Sequence, residues 1–309
     1  MTGTAKRQRY INDIVKNWQL YVLLLLPIIY ILVFKYEPMY GAQIAFKNFN
    51  VIDGIAGSKW VGLNNFDKFF TSPVITTLLT NTILLSVLNT LAGFPLPIIL
   101  AIGLNYVKHI RYKKFVQMVT YIPYFISLVV LIGIMQQAFS LRFGVVNKVI
   151  QLFGGEPIDF FAKPEYFRAL YVFSGVWQNA GWNSIIYISA LAGVDQQLHE
   201  AAIVDGASIF KRVLHIDIPS ILPTVIIMLI LNVGSFLSLG FEKVYLMQND
   251  LNVVTSEIID TYVYKQGLAS ASVNYSYSSA IGLFQSAVGF ILTVTVNRIA
   301  RWLTETSLW

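Results

Sequence analysis

The sequence predicts an all-α membrane protein with six transmembrane helices. Three observations predict it. Hydrophobic residues make up 56% of the 309 residues and charged residues only 12%, where a soluble domain carries about 25% charged residues. Six apolar segments reach the roughly 20 residues that a helix needs to cross a bilayer core of about 30 Å. Lys and Arg gather in alternate loops, which is how membrane proteins set their orientation.

The first segment runs from Trp18 to Tyr36. It has a basic leading stretch, but it is long and ends in Lys35-Tyr36-Glu37-Pro38 without a small-residue cleavage site. It is therefore expected to be a retained span rather than a signal peptide. The second covers Thr77 to Leu104 and is expected to tolerate Pro95 and Pro97 inside the membrane. The third covers Phe115 to Phe139, with Pro123 inside it. The fourth, Arg168 to Ala192, is the most polar. The fifth covers Ile221 to Tyr245 and the sixth Tyr277 to Trp302. Residues 1–17 are expected to form a cytoplasmic N-terminal segment and residues 18–309 one membrane domain. Between the first two spans, residues 37–75 are rich in Gly, Asn and aromatics and are expected to form an ordered interfacial cap.

Lys6, Arg7, Arg9 and Lys16 precede the first span, and Lys108, Arg111, Lys113 and Lys114 follow the second. Lys211 and Arg212 follow the fourth, and Arg298 and Arg301 end the sixth. These twelve basic residues face six acidic ones on the same side, while the other side is charge-balanced. The basic side is expected to be cytoplasmic, with both termini inside. The same bias accounts for the net charge of +6 without a nucleic-acid partner.

With no cysteine and three scattered histidines, no metal site is expected, and thiolate chemistry and disulfides are excluded. No phosphate-binding Gly-x-x-x-x-Gly-Lys-Ser/Thr loop occurs, so no ATP site or catalytic residue is expected on this chain. Polar residues within spans mark either a substrate path or helix–helix contacts. Trp177, Asn179, Trp182 and Asn183 on the fourth span, Asn232, Ser235 and Ser238 on the fifth, and Gln285 on the sixth are the candidates. Asn179 and Asn183 share a helix face. Asn179, Asn232 and Gln285 all count to mid-depth at about 1.5 Å per residue. Aromatic faces and amides suit a sugar, which offers apolar C–H faces and a rim of hydroxyls.

The loop between the fourth and fifth spans is the most informative stretch. Residues 197–205 suit a short helix, and Gly206 permits a bend there. A second amphipathic turn carries Ile209, Phe210, Val213 and Leu214, and Pro219 marks the start of the next span. Pattern alone allows two roles: a helix lying on the inner membrane face, or a docking helix. In the second role Ala201 and Ala202 let a partner's backbone approach, Glu200 places a charge at the contact, and Ile209 and Phe210 fill a partner groove.

Here the sequence resembles the permease subunits of ABC importers. Their cytoplasmic signature is Glu-Ala-Ala, three residues, Gly, nine residues, then Ile-x-Leu-Pro. Glu200-Ala201-Ala202, Gly206 and Ile216-Asp217-Ile218-Pro219 match it, with Ile218 in place of Leu. Asp205-Gly206-Ala207 and Trp60-Val61-Gly62-Leu63-Asn64-Asn65-Phe66 look like the carbohydrate branch, similar to maltose-type and polysaccharide-fragment permeases. The resemblance covers residue 18 to the end. It implies a type I importer permease fold in the bacterial inner membrane, with residues 193–220 as the coupling loop. It also implies a second homologous permease, two ATPase subunits that bind ATP and Mg, and an extracytoplasmic solute-binding protein. The cargo would be a sugar, an oligosaccharide or polysaccharide fragment. An ion-coupled secondary transporter would need buried carboxylates, and no Asp or Glu lies mid-span. A non-transporting scaffold leaves the signature spacing unexplained.

Overall fold

The computed structural model describes residues 15–304 and 307–308. Of the predicted N-terminal segment, Lys6, Arg7 and Arg9 lie outside the described residues. The architecture is almost wholly helical. Its only strands among the described residues are the two-residue pair β1 (Lys47–Asn48) and β2 (Lys59–Trp60), antiparallel, with Lys47 opposite Trp60. Four helical stretches are long and apolar enough to cross a bilayer: Trp18–Phe46, Ile75–Asn105, Ile209–Gly234 and Tyr275–Trp302.

The first stretch begins as α1 (Trp18–Ile31), passes through a π-helical turn (Leu32–Tyr36) and ends in a 3₁₀ helix (Glu37–Phe46). None of α1 is buried, so its Leu and Ile side chains face outward. The segment after it is ordered, as its composition predicts. Phe46 stacks on Trp60 with ring centroids 5.7 Å apart, and α2 (Asn64–Phe70) follows. Buried Asn65 donates to the carbonyls of Ala45 and Lys47 and ties this helix to the hairpin.

The second span is α3 (Ile75–Gly93) followed by α4 (Pro95–Asn105). Helical geometry continues through Phe94, so the prolines are tolerated as expected. The third span is not one straight helix. α5 (Ile110–Tyr121) and α6 (Leu128–Ala138) meet at 100° across a 3₁₀ turn, Ile122–Phe125. Pro123 removes a donor and resists a continuing α-helix, Ile126 is extended, and Ser127 caps α6 by accepting from the Val130 amide. A short amphipathic helix, α7 (Val145–Leu152), follows.

α8 (Pro164–Ala192) is the longest interior helix, and it packs against α3, α4, α5 and the fifth span. Its buried residues, Phe167, Leu170, Tyr171, Ser174, Ala180, Gly181, Ser184, Tyr187 and Leu191, recur at helical spacing. Its buried Ser174 and Ser184 face other helices and its Asn179 and Asn183 line a cavity, while Phe173, Trp177 and Ile186 are exposed. Gly181 is required by its neighbour: a Cβ there would collide with the Thr120 backbone carbonyl on α5.

The fifth span also ends earlier than its hydropathy predicts. α10 (Ile218–Gly234) stops well short of Tyr245, after α9 (Gln196–Val204) and the turn Ile209–Arg212. The chain then unwinds over 235–240 before α11 (Phe241–Met247). Ser235 and Ser238 therefore lie beyond the helix, not on a helical face with Asn232. The Ser235 hydroxyl turns back to the Asn232 carbonyl, competing with the helical pattern. The freed carbonyls are satisfied from three directions. Ser86 donates to Phe236, Gln285 to Leu237 and Tyr171 to Leu239. Unwound backbone at membrane depth persists only where protein groups satisfy it. α12 (Ile259–Tyr264) and α13 (Tyr275–Thr304) complete the chain, and α13 packs on α10 and on Glu37–Phe46.

Candidate functional site: a pinned loop below a polar cavity

Two regions carry the chemistry. In the loop, Asp195 caps α9 by accepting from the Gln197 amide at 2.9 Å. The helix closes in a Schellman motif. The Ala207 amide donates to Ala202 at 2.8 Å and the Gly206 amide to Ile203 at 3.0 Å. Gly206 has φ +71°, the left-handed conformation that this C-terminal cap demands and that a Cβ disfavours. Ser208 then caps the turn Ile209–Arg212. A π-helical turn, Val213–Asp217, leads into α10, with Pro219 in its first turn.

One face of this loop is anchored and the other is bare. Asp217 is fully buried and accepts from the Tyr106 hydroxyl at 2.6 Å. His199 brings Nε2 to 3.3 Å from Asp217 Oδ1, an approach too poorly aligned for a hydrogen bond. The Arg212 guanidinium lies 5.4 Å from the Tyr106 ring centroid, within cation–π range. α9, the root of α10 and the end of α4 are thus held at one point. Burial, and then the hydrogen bond to Asp217, push the Tyr106 hydroxyl up to about 12, so it remains a donor at neutral pH. Glu200, Ala201, Asp205, Ile209 and Phe210 are exposed. Phe210 is 70% and Val204 87% exposed. Ala202 and Ile216 line a cavity with Ala207, Lys211 and Arg212.

The Tyr106–Asp217–His199 cluster escapes sequence reasoning, although a signal existed. Asp217 is a lone carboxylate between isoleucines at the foot of a span, a position that demands a partner.

The second region is a cavity of about 380 Å³ between α3, α8 and the unwound segment before α11. Asn179, Asn183 and Asn232 line it, as do Asn89, Tyr171, Gln178, Glu242 and Lys243. Asn179 gives one amide hydrogen to the Gly175 carbonyl at 2.8 Å, and Asn232 accepts from Thr90 at 3.2 Å. Gln178 donates to Ile126, the carbonyl freed at the bend of the third span. Ser235 lines a smaller adjoining cavity together with Asn89 and Asn232.

The other candidates are elsewhere. Trp177 lines a separate apolar cavity against α4 and α5. Trp182 stacks flat on Tyr124, centroids 4.5 Å apart. Gln285 is buried and spends its amide on Leu237 and on Asp260 at 2.7 Å. Asn89 is not among the candidates; from the sequence alone Glu242-Lys243 is either a local ion pair or part of a gate. Asn89 sits in an otherwise ordinary apolar span, and Lys243 reaches the cavity only because the fifth span unwinds.

A bundle of membrane helices that encloses amide groups and holds a pinned, apolar-tipped loop below them belongs to the class of transport subunits. The comparisons with known proteins agree. Residues 93–305 match the family described as binding-protein-dependent transport system inner membrane component. The chain belongs to that family and is a permease component of ABC importers. It is 43% identical to the polygalacturonan/rhamnogalacturonan transport system permease protein YteP of Bacillus subtilis (strain 168), over 98% of this chain and 94% of that one. It is 45% identical to protein LplB of the same organism, over 91% and 88%. Among solved structures it is similar to a chain of a bacterial ABC transporter involved in the import of the acidic polysaccharide alginate. That match has TM-score 0.88 and 36% identity, and covers 96% of this chain and 99% of that one. A second match, TM-score 0.88, is the alginate transporter in complex with alginate pentasaccharide-bound periplasmic protein.

Proposed function

We propose that the chain forms half of the translocation path of an ATP-driven importer for an oligosaccharide or polysaccharide fragment. It crosses the inner membrane six times, with both termini cytoplasmic. The bent third helix and the polar α8 supply the two crossings that the four apolar stretches do not. A second homologous permease completes the path, a solute-binding protein delivers the sugar from outside, and two ATPase subunits bind ATP and Mg below.

The observation that carries the ATPase coupling is the loop Glu200–Pro219. Its inner face is fixed to the roots of two spans by Asp217, while its outer face leaves Phe210 and Val204 in water. An exposed apolar tip on a rigid mount suits docking into a groove of a partner. Movement of that partner then reaches α10 without a flexible joint. The sugar assignment is supported by the polysaccharide systems named for the similar permeases and by a cavity lined with amides.

The test is reconstitution. The complex of both permeases and the ATPases in liposomes, supplied with the binding protein, is expected to import oligosaccharide only with ATP and the binding protein together. Uptake driven by an ion gradient without ATP would overturn the proposal.

A further inference from the structure

We infer that Lys243 is the counter-ion for a carboxylate on the cargo, so that the cavity accepts a uronate-bearing oligosaccharide. The inference rests on reading the chain as an oligosaccharide permease and adds the charge of the substrate to it.

Lys243 is only 9% exposed, yet it lines the cavity wall. Its ammonium donates to the Tyr171 carbonyl at 2.8 Å and stands 4.4 Å from the centroid of the same tyrosine ring. An ammonium has three N–H donors, and among the described residues one is accepted by a protein oxygen. The group stands over Gly175, also on the wall, where a Cβ would come within 2.9 Å of Nζ. The missing side chain at Gly175 is what leaves the ammonium room at the cavity.

Among the described residues no carboxylate pairs with it. The ion pairs among the described residues are His199–Asp217 and Lys265–Glu257. Glu242, next in sequence and on the same cavity, is exposed and does not pair with Lys243. A buried cation held by one carbonyl and one ring face is undercompensated. Within a membrane bundle such a group marks a substrate or ion path. The remaining wall matches a sugar: Asn89, Asn179, Asn183 and Asn232 present neutral amides suited to hydroxyls. Four amides and one point charge suit a chain of hydroxyls with one carboxylate. A phosphate dianion is better matched by the fork of an arginine.

The test uses the full complex in liposomes with its binding protein, and trigalacturonate as the probe. Lys243→Gln keeps an N–H for the Tyr171 carbonyl and removes the charge, whereas Lys243→Arg keeps the charge. The expected result is trigalacturonate uptake by the unmodified complex, lowered about tenfold through a higher KM in Lys243→Gln. Lys243→Arg should stay much closer to the unmodified protein. The unfolding midpoint of each complex checks assembly. Unchanged uptake in Lys243→Gln overturns the inference, as does equal impairment of Gln and Arg in intact complexes, which would make the lysine a packing residue. Import of neutral maltotriose without trigalacturonate removes the acidic assignment and leaves the oligosaccharide permease standing. Import of neither by the unmodified complex removes both.

Discussion

The loop Glu200–Pro219 and the polar cavity are built in opposite ways. Every residue of the loop's working surface comes from one stretch of twenty residues, Glu200 to Pro219. Its shape is fixed by local devices in or just before it: a cap at Asp195, a left-handed glycine at Gly206, a cap at Ser208. The cavity draws on five helices, α3, α6, α8, α10 and α11, and on the unwound segment between the last two, and its walls exist because two spans break. The difference teaches where rigidity is needed. On the proposed function, the loop that would transmit force is specified locally and pinned at one buried carboxylate, whereas the cavity that would admit cargo is assembled across several elements.

The sharpest way to break this comparison is at Gly206. Its φ of +71° is closed to proline, and its amide is committed to the Ile203 carbonyl. Gly206→Pro loses both, at a cost of roughly 3 kcal/mol or more. The loop is expected to lose its shape, and ATP-driven uptake should fall to background while the protein remains in the membrane. Uptake and membrane content measured on the same vesicles check it. Full transport by this variant would show that the loop's shape is not what couples ATP to the spans.

Asp217 tests the pin rather than the tip. Asp217→Ala leaves the Tyr106 hydroxyl without its acceptor and removes the carboxylate that stands 3.3 Å from His199 Nε2 at a buried site. The cost of unpaired buried groups is about 1–3 kcal/mol, read as a lower unfolding midpoint of the complex. Stimulation of the ATPase by loaded binding protein should weaken as well, because α9 is no longer tied to the root of α10. Loss of stability with stimulation intact would make the cluster a packing device only.

The sequence displays these two regions unequally, for the same physical reason. The loop is legible because its signals are local: caps, a glycine bend and a proline at fixed spacing. The long spans are legible from hydropathy, and the ordered segment near Trp60 from its Gly, Asn and aromatic composition. Breaks inside spans are less so. Pro123 and Ser127 together signal a stop and a restart, but in a membrane segment proline alone is ambiguous, since Pro95 and Pro97 are accommodated without a break. The unwinding after Gly234 depends on Ser86, Tyr171 and Gln285 catching its carbonyls. Those residues come from three other helices, so no window along the chain can show it. Lys243 and Asn89 become cavity residues only as a consequence.

The smallest expected effects come from the cavity amides, because a sugar path spreads its hydrogen bonds over many groups. Asn179 already gives an N–H to Gly175 and keeps its oxygen for the cavity, while Asn232 accepts from Thr90 and keeps its amide hydrogens. Each side chain thus has one end anchored and one end free. Asn179→Ala and Asn232→Ala should each remove about one neutral hydrogen bond, roughly 1 kcal/mol, and raise the KM for sugar uptake about fivefold. The two lie on one cavity from opposite elements, α8 and α10. If one sugar bridges them, the double variant will depart from the sum of the singles, as groups sharing a partner do. If the changes simply add, the two amides meet different parts of the cargo. If KM does not move in either, both residues serve the helix contacts to Gly175 and Thr90, and the substrate-binding role passes to Asn89, Asn183 and Lys243.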